Sequence, residues 1–173
     1  MFKKPVVLSA VIVLAASASM ADISDTCLIG TWVPAPGAFA EQFAASSGMG
    51  DVEISGEVHM VFTPVGGQYL LNGMVIKIQQ PGMPPMAVAM NGEGAFVGEA
   101  EGGAFSFTMG AFNYAAEATI DMGGSPMVMD IPFTDEMAPM GGGAQGRYAC
   151  SATTLSFDVE GREGKMVDSW VRQ

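Results

Sequence analysis

From residue 52 to residue 63 the chain alternates with a period of two. Val52, Ile54, Gly56, Val58, Met60 and Phe62 are interleaved with Glu53, Ser55, Glu57, His59, Val61 and Thr63. Successive side chains of a strand point to opposite faces, so this pattern predicts a strand with one buried and one wet face. Shorter apolar runs bounded by turn residues continue on both sides. Residues 28–33 predict a first strand. Residues 36–47 are the one helical stretch, with Phe39 and Phe43 one turn apart and Gly48 as its stop. Gly66-Gly67 predicts a turn into a strand over 69–79, and 81–85 a break. A short strand over 86–90 ends at Asn91-Gly92, a dipeptide suited to a hairpin because both residues tolerate positive φ.

Strands over 93–101, 104–109 and 111–121 then predict a meander with glycine turns. Phe112, Tyr114, Ala116, Ala118 and Ile120 share one face of the last of these. A further strand covers 126–133, and residues 134–146 read as a loop by composition. Strands over 147–151, 154–159 and 165–172 close the domain. Roughly ten strands with hairpin-like connections and no crossover helices predict an all-β fold. The expected form is an antiparallel up-and-down β-barrel of about 8–10 strands, with one short helix after the first strand.

The first residues change the picture of where this domain works. Lys3 and Lys4 precede an apolar run of about a dozen residues, 5–16, too short for a permanent membrane anchor. Ala18-Ser19-Met20-Ala21 then offers small side chains where a signal peptidase requires them. Residues 1–21 are therefore expected to be a signal peptide and 22–173 a single barrel domain, exported to the periplasm or beyond. Removal of the two lysines would leave 5 basic against 18 acidic residues, a net charge near −13 instead of −11. Such acidity argues against nucleic acid and anionic membrane surfaces as partners. It leaves the oligomeric state open.

Two cysteines remain, Cys27 and Cys150. An even pair in an oxidising compartment predicts a disulfide. The rival reading, a lipid anchor on Cys27, lacks the small apolar residues that lipoprotein processing needs, since Ser24-Asp25-Thr26 precede it.

Gly30-Thr31-Trp32 on the first strand resembles the Gly-x-Trp opening of lipocalin and wider calycin barrels. The resemblance implies that Trp32 plugs the closed end of a barrel and that an arginine of the last strand packs over it. Arg172 stands at that place, with Trp170 on the same face. Cys27, Gly30 and Trp32 near the start, and Tyr148 and Cys150 near the end, are similar to a Cys-x-x-Gly-x-Trp and Tyr-x-Cys pattern of short exported bacterial proteins. Thr134-Asp135 lacks the tyrosine that lipocalins carry after this pair, so it adds nothing to the likeness.

Catalytic candidates are few. His59 is the single histidine, which rules out a three-histidine metal site, and no Gly-x-Ser-x-Gly elbow or phosphate-binding loop occurs. His59 with Glu57, Ser55 and Glu53 makes either a solvated strand face or a weak base or metal position. No cofactor is called for and no enzyme is expected. Methionine is abundant, with clusters at Met83, Met86 and Met90, at Met122, Met127 and Met129, and at Met137 and Met140. Thioethers pack irregular cores, line adaptable apolar pockets, or hold Cu(I) at Met-x-Met and Met-x-x-Met spacings. Finally, Phe96, Phe105, Phe107, Phe112 and Tyr114 could wall an interior that holds a small ligand. The leading expectation is an exported, non-catalytic barrel binding a small apolar or amphipathic molecule. A structural or surface-interaction protein with a filled barrel is the alternative, and copper handling by the methionines the third.

Overall fold

The computed structural model describes residues 22–47, 51–134, 143–161 and 167–173. Residues 1–21, expected to be a signal peptide, Gly48, Met137, Met140 and most of the 134–146 loop lie outside them. Among the described residues nine strands follow the order β1 (Gly30–Pro34), β2 (Asp51–Thr63), β3 (Gly66–Gln79), β4 (Met86–Glu101), β5 (Ala104–Asp121), β6 (Pro126–Ile131), β7 (Ala144–Cys150), β8 (Thr154–Val159) and β9 (Ser169–Arg172). One helix, α1 (Ala38–Ser47), follows the first strand. Every pairing between these nine strands is antiparallel, and Ile23 adds a single parallel bridge to Ala100. Strands β1 to β5 and β7 to β9 close on themselves as an eight-stranded, lipocalin-like barrel, and β6 adds to the free edge of β5.

The architecture has two storeys, because β2 to β5 are much longer than the other barrel strands. In the lower storey the ring is complete. Gly30 to Trp32 pair with Phe62 to Met60, Trp32 to Pro34 with Arg172 to Trp170, and Ala104 to Phe107 with Arg147 to Ala144. In the upper storey β2 to β5 continue without β1, β7, β8 or β9, and β6 joins them along Ala116–Asp121.

Irregularities lie between the storeys. On β3 an extra residue at Asn72-Gly73 shifts the register against both neighbours, and Gly73 takes a φ of +57°. Such a bulge switches which residues face inward. Tyr69 and Leu71 point in below it, and Met74, Ile76 and Ile78 above it. A second extra residue near Gly110 does the same on β5, from Phe105 and Phe107 to Tyr114, Ala116 and Ala118.

Three local expectations are corrected. Residues 104–109 and 111–121 form one continuous strand, because Gly110 is absorbed as a bulge and not as a turn. Asn91-Gly92 is not a hairpin. Gly92 sits inside β4, opposite Leu71 and Tyr114, and a Cβ there would stand 2.1 Å from the Asn113 carbonyl oxygen. The glycine permits a close backbone approach in the sheet. Likewise Gly66 and Gly67 lie within β3, and Pro64-Val65 makes the turn. The tight β4–β5 hairpin falls at Gly102-Gly103, whose φ values of +59° and +82° suit a two-residue turn.

Candidate ligand site at the open end of the barrel

One end of the barrel is sealed. Residues 22–28 cross it, with the Ile23 amide donating to the Pro64 carbonyl at 2.9 Å and the Ala100 amide to the Asp22 carbonyl at 3.3 Å. Ile23 and Leu28 are buried beneath. Asp25 ties this segment to the wall. Its carboxylate accepts from the Cys27 amide at 2.9 Å and from the Tyr148 hydroxyl at 2.8 Å. Burial and this carboxylate push the Tyr148 hydroxyl up to about 12. Beside it Cys27 and Cys150 form a disulfide.

Trp32 and Trp170 plug the interior just inside the seal. Both are fully buried, and each indole N–H donates at 2.8 Å, to the Leu28 and Val167 carbonyls respectively. The Arg172 guanidinium lies over the Trp32 ring, 4.3 Å from its centroid. It donates to the Ile29 and Ala152 carbonyls at 2.9 Å and also to that of Cys27. Gly30 is the position that admits it. A Cβ on residue 30 would stand 2.6 Å from the arginine Nη1, and the φ of +136° itself favours glycine.

The rest of the lower storey is filled by rings. Phe96, Phe105 and Phe107 are buried with Phe62 and Phe157, at centroid separations of 5.0 to 5.7 Å among most neighbouring pairs. Glycines make room for them: a Cβ at residue 67 would meet the Phe96 ring at 2.2 Å, and one at residue 98 the Phe107 ring at 2.9 Å. Phe112 and Tyr114 stand apart from this cluster, one storey up. There they contact Phe133, which follows β6, at 6.2 and 4.9 Å. The Tyr114 hydroxyl donates to the Tyr69 carbonyl at 3.1 Å, and burial pushes both phenols well above the ordinary tyrosine range. The five aromatic residues that the sequence offered as one wall therefore belong to two groups.

The upper storey carries an apolar inner face. Val52 and Ile54 of β2 stand opposite Ile78 and Ile76 of β3. These in turn stand opposite Met86 and Val88 of β4, with Met74 opposite Met90. Across β4 and β5, Met86, Val88 and Met90 meet Ile120, Ala118 and Ala116, and Met127, Met129 and Ile131 of β6 complete the rows. Facing residues of a pair share one side of the sheet, so methionines of three strands converge on one surface. Phe39 and Phe43 of α1, with Val52, Ile54, Met86 and Met90, are only partly buried against the core. Met127 and Met129 are 46% and 43% exposed. Periodicity revealed the faces of β2 and of the upper part of β5, but no local signal showed the bulge on β3 or that these rows extend beyond the ring.

The outer face of the same storey is acidic. At the ends of these strands Asp51, Glu53, Asp121 and Lys77 border a cleft of about 400 Å³ that also reaches Val52, Ile78 and Met86 of the inner face and Pro85, and Lys77 pairs with Glu53 at 3.2 Å. His59 lies elsewhere, near the start of α1, in a cleft of about 350 Å³ that also includes Glu57 and Gln173. Its ring nitrogens stand 3.1 Å from the Gln173 amide oxygen and 3.4 Å from the Glu57 carboxylate. Ser55 and Glu53 lie farther along β2, across Gly56. Among the described residues no three His, Cys, Asp or Glu side chains gather as a metal site, and no helix is long and apolar enough to cross a membrane.

Against known protein families, curated proteins and solved structures, the chain has no match.

Proposed function

We propose that this is an exported, non-catalytic protein that binds a small apolar or amphipathic molecule at the open end of its barrel. The observation that carries the reading is the division into storeys. The sealed lower storey is occupied by the protein's own rings, while the upper storey presents a continuous apolar face that the described residues cover only in part. Apolar surface of this kind, rimmed by acidic side chains, is the usual mark of a binding surface. Methionine suits it, because an unbranched thioether chain repacks around guests of different shape. Acidity in the surrounding surface would favour a neutral or cationic head group over an anionic one.

Purified protein should enhance the fluorescence of an apolar probe, and native mass spectrometry should show a co-purifying mass removed by organic extraction. Val88→Arg, at the centre of the face, should abolish both while the near-ultraviolet circular dichroism of the buried aromatic cluster persists. An empty protein that leaves the probe unchanged overturns the proposal.

A further inference from the structure

Strand β6 ends the sheet: it pairs with β5 on one side, and among the described residues nothing pairs with the other. Its central residues Met127, Val128 and Met129 are 46%, 55% and 43% exposed, so apolar side chains stand in water on both faces of the terminal strand. An open strand edge carries a row of backbone donors and acceptors that can template a further strand. Proteins usually blunt such edges with charge. Here Pro126 and Pro132 bracket the segment but leave the residues between them free to pair.

The two faces of this edge ask for different things. On the inner face Met127, Met129 and Ile131 continue the apolar rows. On the outer face Asp130 stands directly opposite Glu117, the next position in that row is Ala89, and Asp121 lies opposite Pro126. Like charges directly across a strand pair destabilise it. A basic side chain arriving beside Asp130 would relieve that repulsion, whereas a second copy of this acidic chain would add to it.

We infer that β6 is a docking edge for an extended peptide segment of another protein, added as a tenth strand. The segment would alternate apolar residues, laid against Met127 and Met129, with basic residues beside Asp130. Backbone hydrogen bonds would supply affinity and the alternation would supply register, as in other cases of strand addition. This edge borders the apolar face proposed for a small molecule and shares Met127 and Met129 with it, while Asp130 and the free backbone of β6 belong to the edge alone.

The test uses a labelled peptide of alternating Val and Lys, a scrambled peptide of the same composition, and an alternating Val and Glu peptide, read by fluorescence anisotropy. Only the alternating Val and Lys peptide should bind well, with the scrambled order at least about tenfold weaker. Asp130→Lys should weaken it by about tenfold and bring in the Val and Glu peptide. Met129→Lys, with an unchanged circular dichroism spectrum, should also lower affinity. Equal binding of ordered and scrambled peptides would mean simple charge attraction and overturn the inference. So would absence of binding, or a self-association seen by sedimentation and abolished by Met129→Lys, which would make a second copy the occupant.

Discussion

Arg172, one residue from the end of the chain, lies with its guanidinium 4.3 Å from the centre of the Trp32 ring on the first strand. The contact joins β9 to β1 where the barrel closes, and the same guanidinium satisfies carbonyls of Cys27, Ile29 and Ala152. Arg172→Ala would remove a cation–π contact and leave carbonyls without donors, a combined loss of about 2–4 kcal/mol. Urea unfolding should show a lower midpoint at unchanged slope, and tryptophan emission should shift. Arg172→Lys should recover little, because an ammonium cannot reproduce a planar fork of donors.

The disulfide links positions 123 residues apart. Closing so long a loop in the unfolded chain is worth about 5 kcal/mol at the upper end, and removing a native disulfide from a small domain commonly costs about 2–5 kcal/mol. The doubly substituted Cys27→Ser, Cys150→Ser protein should therefore unfold at much lower denaturant. Alkylation of the unreduced parent under denaturing conditions should modify neither cysteine.

Gly94 faces Tyr114, whose hydroxyl would stand 2.5 Å from a Cβ on residue 94. Gly94→Val should push the ring off its place, break its hydrogen bond to the Tyr69 carbonyl and cost about 1–3 kcal/mol as overpacking. Tyr114→Phe removes the hydrogen bond alone and should cost about 1 kcal/mol. Thermal unfolding of the two variants separates the terms, and a Gly94→Val no more damaging than Tyr114→Phe would rule out the clash.

All three tyrosines, Tyr69, Tyr114 and Tyr148, have phenols raised above the ordinary value, each mainly by burial. A raised folded-state pKa means that the unfolded chain loses these protons first. The stabilisation is thus whole below about pH 10 and falls as pH rises toward the folded values. In an alkaline titration, tyrosinate absorbance should appear together with unfolding. A gradual rise from about pH 10 with intact circular dichroism would contradict the burial.

A period-two pattern with no crossover helices was sufficient to read an antiparallel barrel with one early helix, because in-and-out alternation records burial residue by residue. Val52 to Phe62 show this most clearly, keeping one parity along the whole of β2. Glycine misled the reading of boundaries. A turn, a bulge and a close approach all call for the same missing Cβ, so Gly66, Gly92 and Gly110 looked alike as punctuation. Only their partners distinguish them: Gly92 lies against the backbone of Asn113, while Gly102 and Gly103 turn in open space or near it.

The candidate site was legible in part. The aromatic residues were visible as apolar positions on strand faces, but Phe105 and Phe107 belong to the packed lower cluster and Phe112 and Tyr114 to the upper storey, separated by one extra residue at Gly110. Sequence alone determined which residues face inward along regular stretches such as Val52 to Phe62, because that depends on local alternation, but it did not show the switch at Asn72-Gly73. Only the tertiary structure decided at what height each strand leaves the ring, and so which inward faces the aromatic cluster fills and which the described residues cover only in part. That height follows from pairing between residues far apart in the chain, such as Ala104 with Arg147 and Ala116 with Ile131, which no local pattern encodes.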